Sequence, residues 1–226
     1  YGSLFAGIAP FLDGDLNFAN LETVVSDRTN LPDTGGQFLF ASHTDSIRAA
    51  IAQGLNFFAL ANNHAGDHGP RGMEETMRNM AELSRQHQIF YHGIGQNRER
   101  ALEPTVFNIR NSSGTFRVAF LSMTGVSNTP TQAGRDRAGT LYFQDSRDFS
   151  DAMSAMARTN ADYKILSVHW GRETVVSLDS GQRSLFHRAL AEGDIDLILG
   201  HHPHVVRPVE KVGNKVIFYS LGNYLM

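Results

Sequence analysis

The stretch Ile195-Asp196-Leu197-Ile198-Leu199-Gly200-His201-His202-Pro203-His204 joins an apolar run to three closely spaced histidines. An apolar run closed by a glycine predicts a buried strand that stops at Gly200, with the imidazoles in the loop at its carboxyl end. Ligand sites of α/β sheets lie at that end, imidazole is a frequent metal ligand, and Pro203 restricts the loop. The stretch therefore predicts a metal site on an α/β scaffold. Its alternatives are a solvated loop, a hydrogen-bonded histidine network and a pH-sensitive patch.

Composition limits the class of protein. With 226 residues, of which 41% are hydrophobic, the chain can form a full core and predicts a single domain over residues 1–226. A formal net charge of -3 without a basic cluster argues against nucleic acid as a partner. The absence of cysteine excludes disulfides and thiolate metal sites, so any metal must be held by nitrogen and oxygen. The sequence shows neither a signal-peptide pattern nor an apolar run of the roughly 18 residues that span a bilayer.

Strand-like and helix-like segments alternate along the chain, which predicts parallel or mixed sheets covered by helices. The patterns predict strands over residues 15–19, 55–61, 89–91, 117–122, 163–168, 195–199 and 215–219. They predict helices over residues 43–53, 148–158 and 182–192, and a further helix that starts at Pro70 and carries Met73, Met77, Met80 and Leu83 on one face. Residues 26–36 and 125–139 are predicted loops. The second loop is long enough for a lid or substrate loop, with surface disorder as the alternative.

Polar side chains follow four of these predicted strands. They are Asn20 and Glu22; Asn62, Asn63, His64, Asp67 and His68; His169, Trp170, Arg172 and Glu173; and the three histidines after residues 195–199. If the strands run parallel, these groups face one rim of one sheet. Histidines scattered over the surface would not regularly follow the ends of strands, so the pattern favours a metal-centred site.

This set of side chains supports a specific chemistry. Imidazoles with one or two carboxylate or amide oxygens can hold two divalent ions. A pair of ions about 3.5–4 Å apart can clamp a phosphoryl group and activate a bridging water. A further imidazole beside the ions can protonate the leaving oxygen.

Five ordered motifs resemble those of the bacterial CapA family. They are Asn20-Leu21-Glu22, Ala61-Asn62-Asn63-His64 with Asp67 and Gly69, His169-Trp170-Gly171 with Glu173, Gly200-His201-His202-Pro203-His204 with Glu210, and Tyr219-Ser220-Leu221-Gly222-Asn223. The resemblance covers residues 15–223, nearly the whole chain. This family is associated with poly-γ-glutamate capsule biosynthesis, and the resemblance implies a metallophosphatase-like layered α/β fold with mixed β-sheets flanked by helices.

The resemblance also implies roles for individual residues. His64 would be the catalytic acid beside the metals, and Asn20 is a second candidate ligand in the first motif. The implied metal ligands are Glu22, Asn63, His169, His202 and His204, and the implied site neighbours are Asp67, Arg172, Glu173 and His201. The implied cofactors are one or two divalent ions of manganese, iron or zinc.

One departure from the family pattern concerns the first metal ligand. Metallophosphatases place an aspartate at the end of their first strand, and CapA-like chains carry a Gly-Asp there, upstream of the segment matched by Asp15. In this sequence Asp13 and Asp15 are the only carboxylates near that position. We therefore expect either that the domain lacks its first strand here or that its site holds one metal or none.

Structural roles are the alternative for several of these residues. Asn62 and Asn63 could cap the turn before the next helix. Trp170 is expected to pack near the rim of the site. Arg172 could bind an anionic substrate or simply pair with Glu173.

The sequence leads to a metal-dependent hydrolase of the metallophosphatase type, acting on a phosphoester or on an anionic polymer such as poly-γ-glutamate. The alternative is a non-catalytic assembly or export factor that binds capsule polymer in the same cleft, and a histidine-based pH or metal sensor is a third candidate. The resemblance implies a capsule-synthesis membrane complex as a partner. It also implies a location at the bacterial cell envelope or its extracellular face.

Overall fold

The computed structural model describes residues 5, 7–179 and 181–223. Its strands are β1 Phe18–Asn20, β2 Val24–Val25, β3 Ala41–Ser42, β4 Phe57–Ala59, β5 Phe90–His92, β6 Thr105–Asn111, β7 Gly114–Thr124, β8 Tyr163–His169, β9 Leu197–His201, β10 Val209–Val212 and β11 Lys215–Phe218. Its helices are α1 Thr44–Ala52, α2 Gly69–Gln86, α3 Arg98–Leu102, α4 Ser146–Arg158 and α5 Gln182–Glu192, with a 3-10 helix at Ala9–Phe11.

Two sheets form the centre of the molecule. β1, β4 and β5 make a parallel sheet in the order β1-β4-β5. The larger sheet has the order β10-β11-β9-β8-β7-β6, in which the inner strands are parallel and the edge strands β6 and β10 are antiparallel to their neighbours. β2 and β3 form a separate parallel pair.

The two sheets pack face to face, and helices cover their outer faces. Phe57 and Phe120 belong to the apolar cluster between the sheets. Met80 of α2 packs in a second cluster on the smaller sheet, and Phe149 of α4 and Phe186 of α5 pack in a third cluster on the larger sheet. The layers therefore follow the order helix, sheet, sheet, helix, because each sheet face must bury its apolar side chains. This confirms the predicted layered α/β fold with mixed sheets flanked by helices.

Local sequence signals set the helices. Asp145 accepts hydrogen bonds from the first backbone N–H groups of α4, and Pro70 lies in the first turn of α2, where a missing N–H is tolerated. Met73, Met80 and Leu83 of α2 are buried and Met77 is partly buried, so the apolar face recurs at three- and four-residue steps. The helices predicted over residues 43–53, 148–158 and 182–192 and from Pro70 are confirmed. Within the described residues, no helix has the length and apolar character needed to cross a bilayer.

The strands depart from the prediction mainly at the edges. β1 begins at Phe18, so Asp15 precedes this strand instead of starting it. The edge strands β6 and β10, the short pair β2 and β3, and α3 were not predicted. β6 and β10 alternate between exposed and partly buried positions along most of their length, so they lack the apolar run that marks a central strand.

The prediction that Gly200 ends its strand is wrong, since β9 continues through Gly200 to His201. A Cβ atom on Gly200 would clash with the backbone of the neighbouring β11 region, lying 2.7 Å from the carbonyl oxygen of Phe218 and also against that of Tyr219. The glycine is therefore needed for the close approach of two backbones. His201 stays inside the sheet, paired with His169 of β8.

Candidate metal site

The candidate site lies where the carboxyl ends of parallel strands from both sheets come together. β1 and β4 belong to the smaller sheet, whereas β8 and β9 belong to the larger one. The expectation of one rim on one sheet is therefore wrong. The side chains meet because the sheets pack face to face with the same ends aligned, as the contacts of His169 with Asn63 and Glu22 demonstrate.

Asn62 joins the two loops that the smaller sheet contributes. Its buried Nδ2 donates to the carbonyl oxygen of Leu21 at 2.9 Å and to Oδ1 of Asn20 at 3.3 Å. Its Oδ1 accepts from the backbone N–H of His64 at 3.1 Å, which closes a local turn. The loop that carries Glu22 and the loop that carries His64 are thereby held together.

Three side chains meet around Nε2 of His169, which makes a cluster of four residues. This nitrogen lies 2.7 Å from Oδ1 of Asn63, 3.2 Å from Nδ1 of His202 and 3.5 Å from Oε1 of Glu22. His169 is fully buried, and His202 is buried as well. A single ring N–H cannot serve three acceptors, and Oε1 of Glu22 is left buried without a hydrogen-bond partner among the described residues.

These distances fit a divalent ion. Ligands about 2.1 Å from an ion in tetrahedral or octahedral geometry lie about 3.0–3.4 Å from one another. The observed separations of 2.7, 3.2 and 3.5 Å surround that range. Imidazole, carboxylate and amide oxygen together form a ligand set that manganese, iron and zinc accept. The unpartnered oxygen of Glu22 is the atom that an ion would satisfy.

His202 and His204 occupy a strained turn after β9. Their φ angles are +95° and +58°, a region that non-glycine residues rarely adopt and that costs of order 1–3 kcal/mol. The turn brings Nε2 of His204 to 4.0 Å from Oε1 of Glu22. Nδ1 of His204 lies 2.8 Å from Oδ1 of Asn223, a contact that orients the ring. Backbone strain at this turn therefore accompanies the placement of two imidazoles at the site.

His64 faces the same carboxylate from another side. Its Nε2 lies 4.0 Å from Oε1 of Glu22, and its Nδ1 lies 2.7 Å from Oδ2 of the buried Asp67. The ring of Phe40 packs on the imidazole, with 4.3 Å between ring centroids. A buried carboxylate on Nδ1 fixes the orientation of the ring and leaves Nε2 free to face a bound group.

Burial sets the charge state of the cluster. It lowers the pKa of His202 to about 4 and that of His201 to about 3, and it also lowers the pKa of His169. Burial alone would raise the pKa of Glu22, but the neighbouring His169 and two further histidines bring it below its ordinary value. The imidazoles are therefore neutral and the carboxylate ionised near neutral pH, which are the protonation states that metal ligation needs.

Two predicted site residues have structural partners. Asn20 donates to Oε2 of Glu22 at 3.0 Å and so orients that carboxylate. His201 lies within β9, where its Nε2 is 2.7 Å from Oγ of Ser167 and its ring stacks on Phe18. His201 therefore packs between the sheets, beside the four-residue cluster and outside it.

Residues 170–173 sit at the rim of the site. Trp170 packs against the core of the larger sheet, as expected. Of the two roles left open for Arg172, pairing with Glu173 is not the one found, because Nε of Arg172 donates to Oδ1 of Asp179 at 2.6 Å. Glu173 is exposed, and its ligand atom lies within 4.8 Å of those of His202 and His204, which makes a second group of potential ligands that shares His202.

Sequence reasoning missed contacts made by loops. Oδ1 of Asn128 accepts from Nδ2 of Asn63 at 3.3 Å, so the loop over residues 125–139 packs directly on the site. Asn62 caps the turn before α2 by accepting from the backbone N–H of His64, as the structural alternative expected, whereas the side chain of Asn63 bonds His169 and Asn128 instead. Phe40 was missed because a loop phenylalanine has no ligand chemistry. The sequence contains no signal for it, because its exposure and its contact with His64 are visible only in the structure.

Asp15 lies at the opposite end of the sheets from the histidines. Its Oδ2 accepts from Nδ2 of Asn111 at 2.8 Å. It lines a cavity of about 490 Å³ together with Leu16, Tyr163 and Leu197, at the amino ends of the parallel strands. Asp15 therefore cannot supply the first metal ligand. The strand that follows Asp15 and reaches the site is β1, and its last residue is Asn20.

The layered fold and the ligand-type side chains at the joined strand ends define a layered α/β domain with a candidate metal site. The chain belongs to the bacterial capsule synthesis protein PGA_cap family, whose profile matches residues 1–226. The resemblance to CapA proteins that the motifs predict is confirmed.

Two curated relatives carry the CapA name. The chain is 31% identical over 226 residues to the PGA biosynthesis protein CapA of Bacillus subtilis (strain 168), a match that covers 99% of this chain and 56% of that protein. It is 26% identical over 233 residues to the capsule biosynthesis protein CapA of Bacillus anthracis, covering 100% of this chain and 54% of that protein. The chain thus spans little more than half the length of these relatives.

A solved structure supports the fold. A hypothetical protein from Thermus thermophilus superposes with a TM-score of 0.54 at 17% sequence identity, covering 97% of this chain and 70% of that chain.

Proposed function

We propose that this domain is a metal-dependent hydrolase of the metallophosphatase type that acts in poly-γ-glutamate capsule biosynthesis. The observation that carries the proposal is the meeting of Asn63, His202 and Glu22 around Nε2 of His169, where the buried Oε1 of Glu22 has no hydrogen-bond partner among the described residues. The names of the CapA relatives support the biological setting.

The four residues would hold a manganese, iron or zinc ion, with His204 at the edge of the cluster as a further ligand. When bound, such an ion lowers the pKa of a coordinated water and polarises the oxygen of the bond to be broken. Asn20 and Asn62 keep the carboxylate loop in place, through their bonds to Glu22 and to the backbone of Leu21.

His64 is the proposed acid. Its Nε2 faces the cluster, while Asp67 accepts from Nδ1 and so fixes the orientation of the ring. A proton held at Nε2 would face a leaving oxygen that lay beside these residues. Asp67 acts as a positioning residue, because it touches His64 and lies behind it.

The charges of the cleft support a role for the ion. Glu22 is anionic and the pKa values of His169 and His202 are lowered by burial, so these groups alone do not attract an anionic substrate. The exposed Arg172 at the rim is already paired with Asp179. A divalent ion would reverse the local charge and make the cleft attractive to a phosphoester or a polycarboxylate.

One observation favours a second candidate, the non-catalytic assembly or export factor. Asn20 stands at the end of β1, and both of its side-chain amide atoms are used within the protein, by Glu22 and by Asn62. Without an aspartate to bridge two ions, the site would hold a single ion. A single ion can bind an anionic polymer, but it cannot activate a water that bridges two ions.

Metal analysis and hydrolysis of a phosphoester by a His64→Gln variant test the proposal. The variant should retain its metal and lose about 10²–10⁴-fold in kcat, the usual contribution of a general acid. The matched control is His87→Gln, because His87 follows the far end of the 18-residue α2, about 27 Å from the end near the site. The control should keep both metal and activity.

The outcomes separate the two candidates. A protein that binds none of manganese, iron and zinc overturns the proposal. A metal-loaded protein that hydrolyses nothing, and binds poly-γ-glutamate equally with and without His64, is the assembly factor instead.

The same proposal sets the protein at the bacterial cell envelope or its extracellular face, with the anionic polymer and a capsule-synthesis membrane complex as partners. Cell fractionation and co-purification of a tagged full-length protein test this placement. Recovery of the protein in the cytosolic fraction alone would contradict it.

A further inference from the structure

Two exposed phenylalanines adjoin the proposed acid. Phe38 is 61% exposed and Phe40 is 45% exposed, although large apolar side chains are usually buried. Their rings stack, with 6.4 Å between centroids and 28° between planes. Phe40 also packs on the imidazole of His64. Phe38 and Phe40 together form what we call the aromatic surface.

Hydrogen bonds hold the aromatic surface at a fixed position relative to His64, the proposed acid. The backbone N–H of Phe40 donates to Oδ2 of Asp67 at 2.7 Å, and this is the oxygen that lies against Nδ1 of His64. The carbonyl oxygen of Phe40 accepts from the N–H of Val24 at 3.1 Å. Thr34, from the same loop, donates through its hydroxyl to the carbonyl oxygen of Asp67. A group that rests on Phe40 is therefore placed at a fixed position relative to His64.

We propose that the aromatic surface binds the leaving group of the substrate, and that this leaving group presents a flat ring. The inference rests on the proposed function, in which His64 gives its proton to the leaving oxygen. The leaving group must then lie on the His64 side of the ion. Its atoms beyond the leaving oxygen would contact Phe40 first and Phe38 next. Stacked aromatic faces favour a ring over an open chain.

Binding of two non-hydrolysable probes, phenylphosphonate and methylphosphonate, tests the inference. With the metal-loaded full chain, calorimetry should find that phenylphosphonate binds about five- to tenfold more tightly, the range expected for a ring stacking on phenylalanine. Phe38→Ala should remove most of this preference and leave the affinity for methylphosphonate unchanged. Phe11→Ala is the matched control, since Phe11 is 76% exposed and lies in the 3-10 helix at the amino ends of the strands.

A kinetic comparison gives a second measurement. Phe40→Leu retains an apolar contact with His64 and removes the ring. It should lower kcat/KM about fivefold for phenyl phosphate relative to glycerol phosphate, mainly through KM. The ratio of the two substrates cancels any loss of activity that a disturbed His64 would cause for both.

Equal affinity of the wild-type protein for the two phosphonates overturns this inference and leaves the proposed function standing, because methylphosphonate reports on the ion alone. A preference that persists in Phe38→Ala and Phe40→Leu also overturns it. If neither phosphonate binds the metal-loaded protein, the proposed function fails and this inference fails with it.

Discussion

Replacing His202 with glutamine should remove most of the stabilisation that a bound ion gives this domain. His202 belongs to both groups of potential ligands, one with Glu22 and His169 and the other with Glu173 and His204. Glutamine keeps much of the volume and the hydrogen-bonding capacity of the side chain but is a poor ligand for these metals. Loss of a supporting residue around a metal typically costs 10–100-fold in affinity, and loss of a ligand should cost about 100-fold or more.

The expected size of the effect follows from linkage. At an ion concentration about 100 times the Kd, binding raises the free energy of unfolding by about 2.7 kcal/mol. For a domain of this length each kcal/mol raises Tm by about 2–4 °C, so the wild-type protein should gain about 5–10 °C. The variant, with an affinity about 100-fold lower, is then only half saturated and should gain about 1–2 °C.

Thermal unfolding of chelator-treated protein, with and without added manganese, iron or zinc, measures both shifts. His87→Gln should show the full wild-type shift, since His87 lies beyond the far end of α2. A full shift in His202→Gln would mean that the ion binds elsewhere. No shift in the wild-type protein with any of these metals would refute the reasoning from the unpartnered oxygen of Glu22.

Three further predictions concern the scaffold. Gly200→Ala should lower the free energy of unfolding by about 1–3 kcal/mol in denaturant titrations, because its Cβ meets backbone carbonyls of the next strand. Arg207→Met should lower it by about 3 kcal/mol, since the buried guanidinium donates to three acceptors in the segment that follows β8, among them the carbonyl oxygen of Arg172. Burial lowers the pKa of His92 from 6.5 to about 4, so the unfolded chain takes up this proton first as the pH falls. The free energy of unfolding should therefore drop by about 3 kcal/mol between pH 6.5 and pH 4 because of this residue, and His92→Gln should flatten the pH profile by that amount.

Each of these predictions has its own control. Gly7→Ala should be neutral, because a Cβ on Gly7 meets no atom within 4 Å, and equal losses for Gly7→Ala and Gly200→Ala would contradict the steric argument. An Arg207→Met protein as stable as the wild type would show that water replaces the lost donors. For His92 the quantity compared is the change between the two pH values, and identical pH profiles for wild type and variant would contradict the assignment.

The sequence predicts segments with strong apolar patterns well and edge segments poorly. Residues 163–168 and 195–199 read as strands because both of their faces are buried, and the helix from Pro70 reads as a helix because its apolar residues recur at three- and four-residue steps. β6 and β10 contain several polar residues and no continuous apolar run, so they lack this signal. Their pairing depends on a neighbour that lies elsewhere in the sequence.

The candidate site could also be predicted from the sequence only in part. Its ligand types could be predicted, since each group directly follows a strand. Which sheet each strand joins could not be predicted, because Glu22 and His169 meet only through the packing of two sheets. The separation of His201 from the candidate ligand His202 was implied by the family resemblance only, because the local pattern of residues does not contain it. It depends on how far β9 continues past Gly200, and backbone contact with β11 decides that extension.

The origin of the ligands in two different sheets has a consequence for the cohesion of the molecule. Asn63 comes from one sheet and His169 from the other, 106 residues further along the chain. An ion held between them would cross-link the two sheets. Disulfides have this function in other proteins, but a chain without cysteine cannot form them. Unlike a disulfide, this cross-link opens with a chelator or with acid. The backbone amides of both sheets should then exchange hydrogen as one cooperative unit with the ion bound and as two units without it.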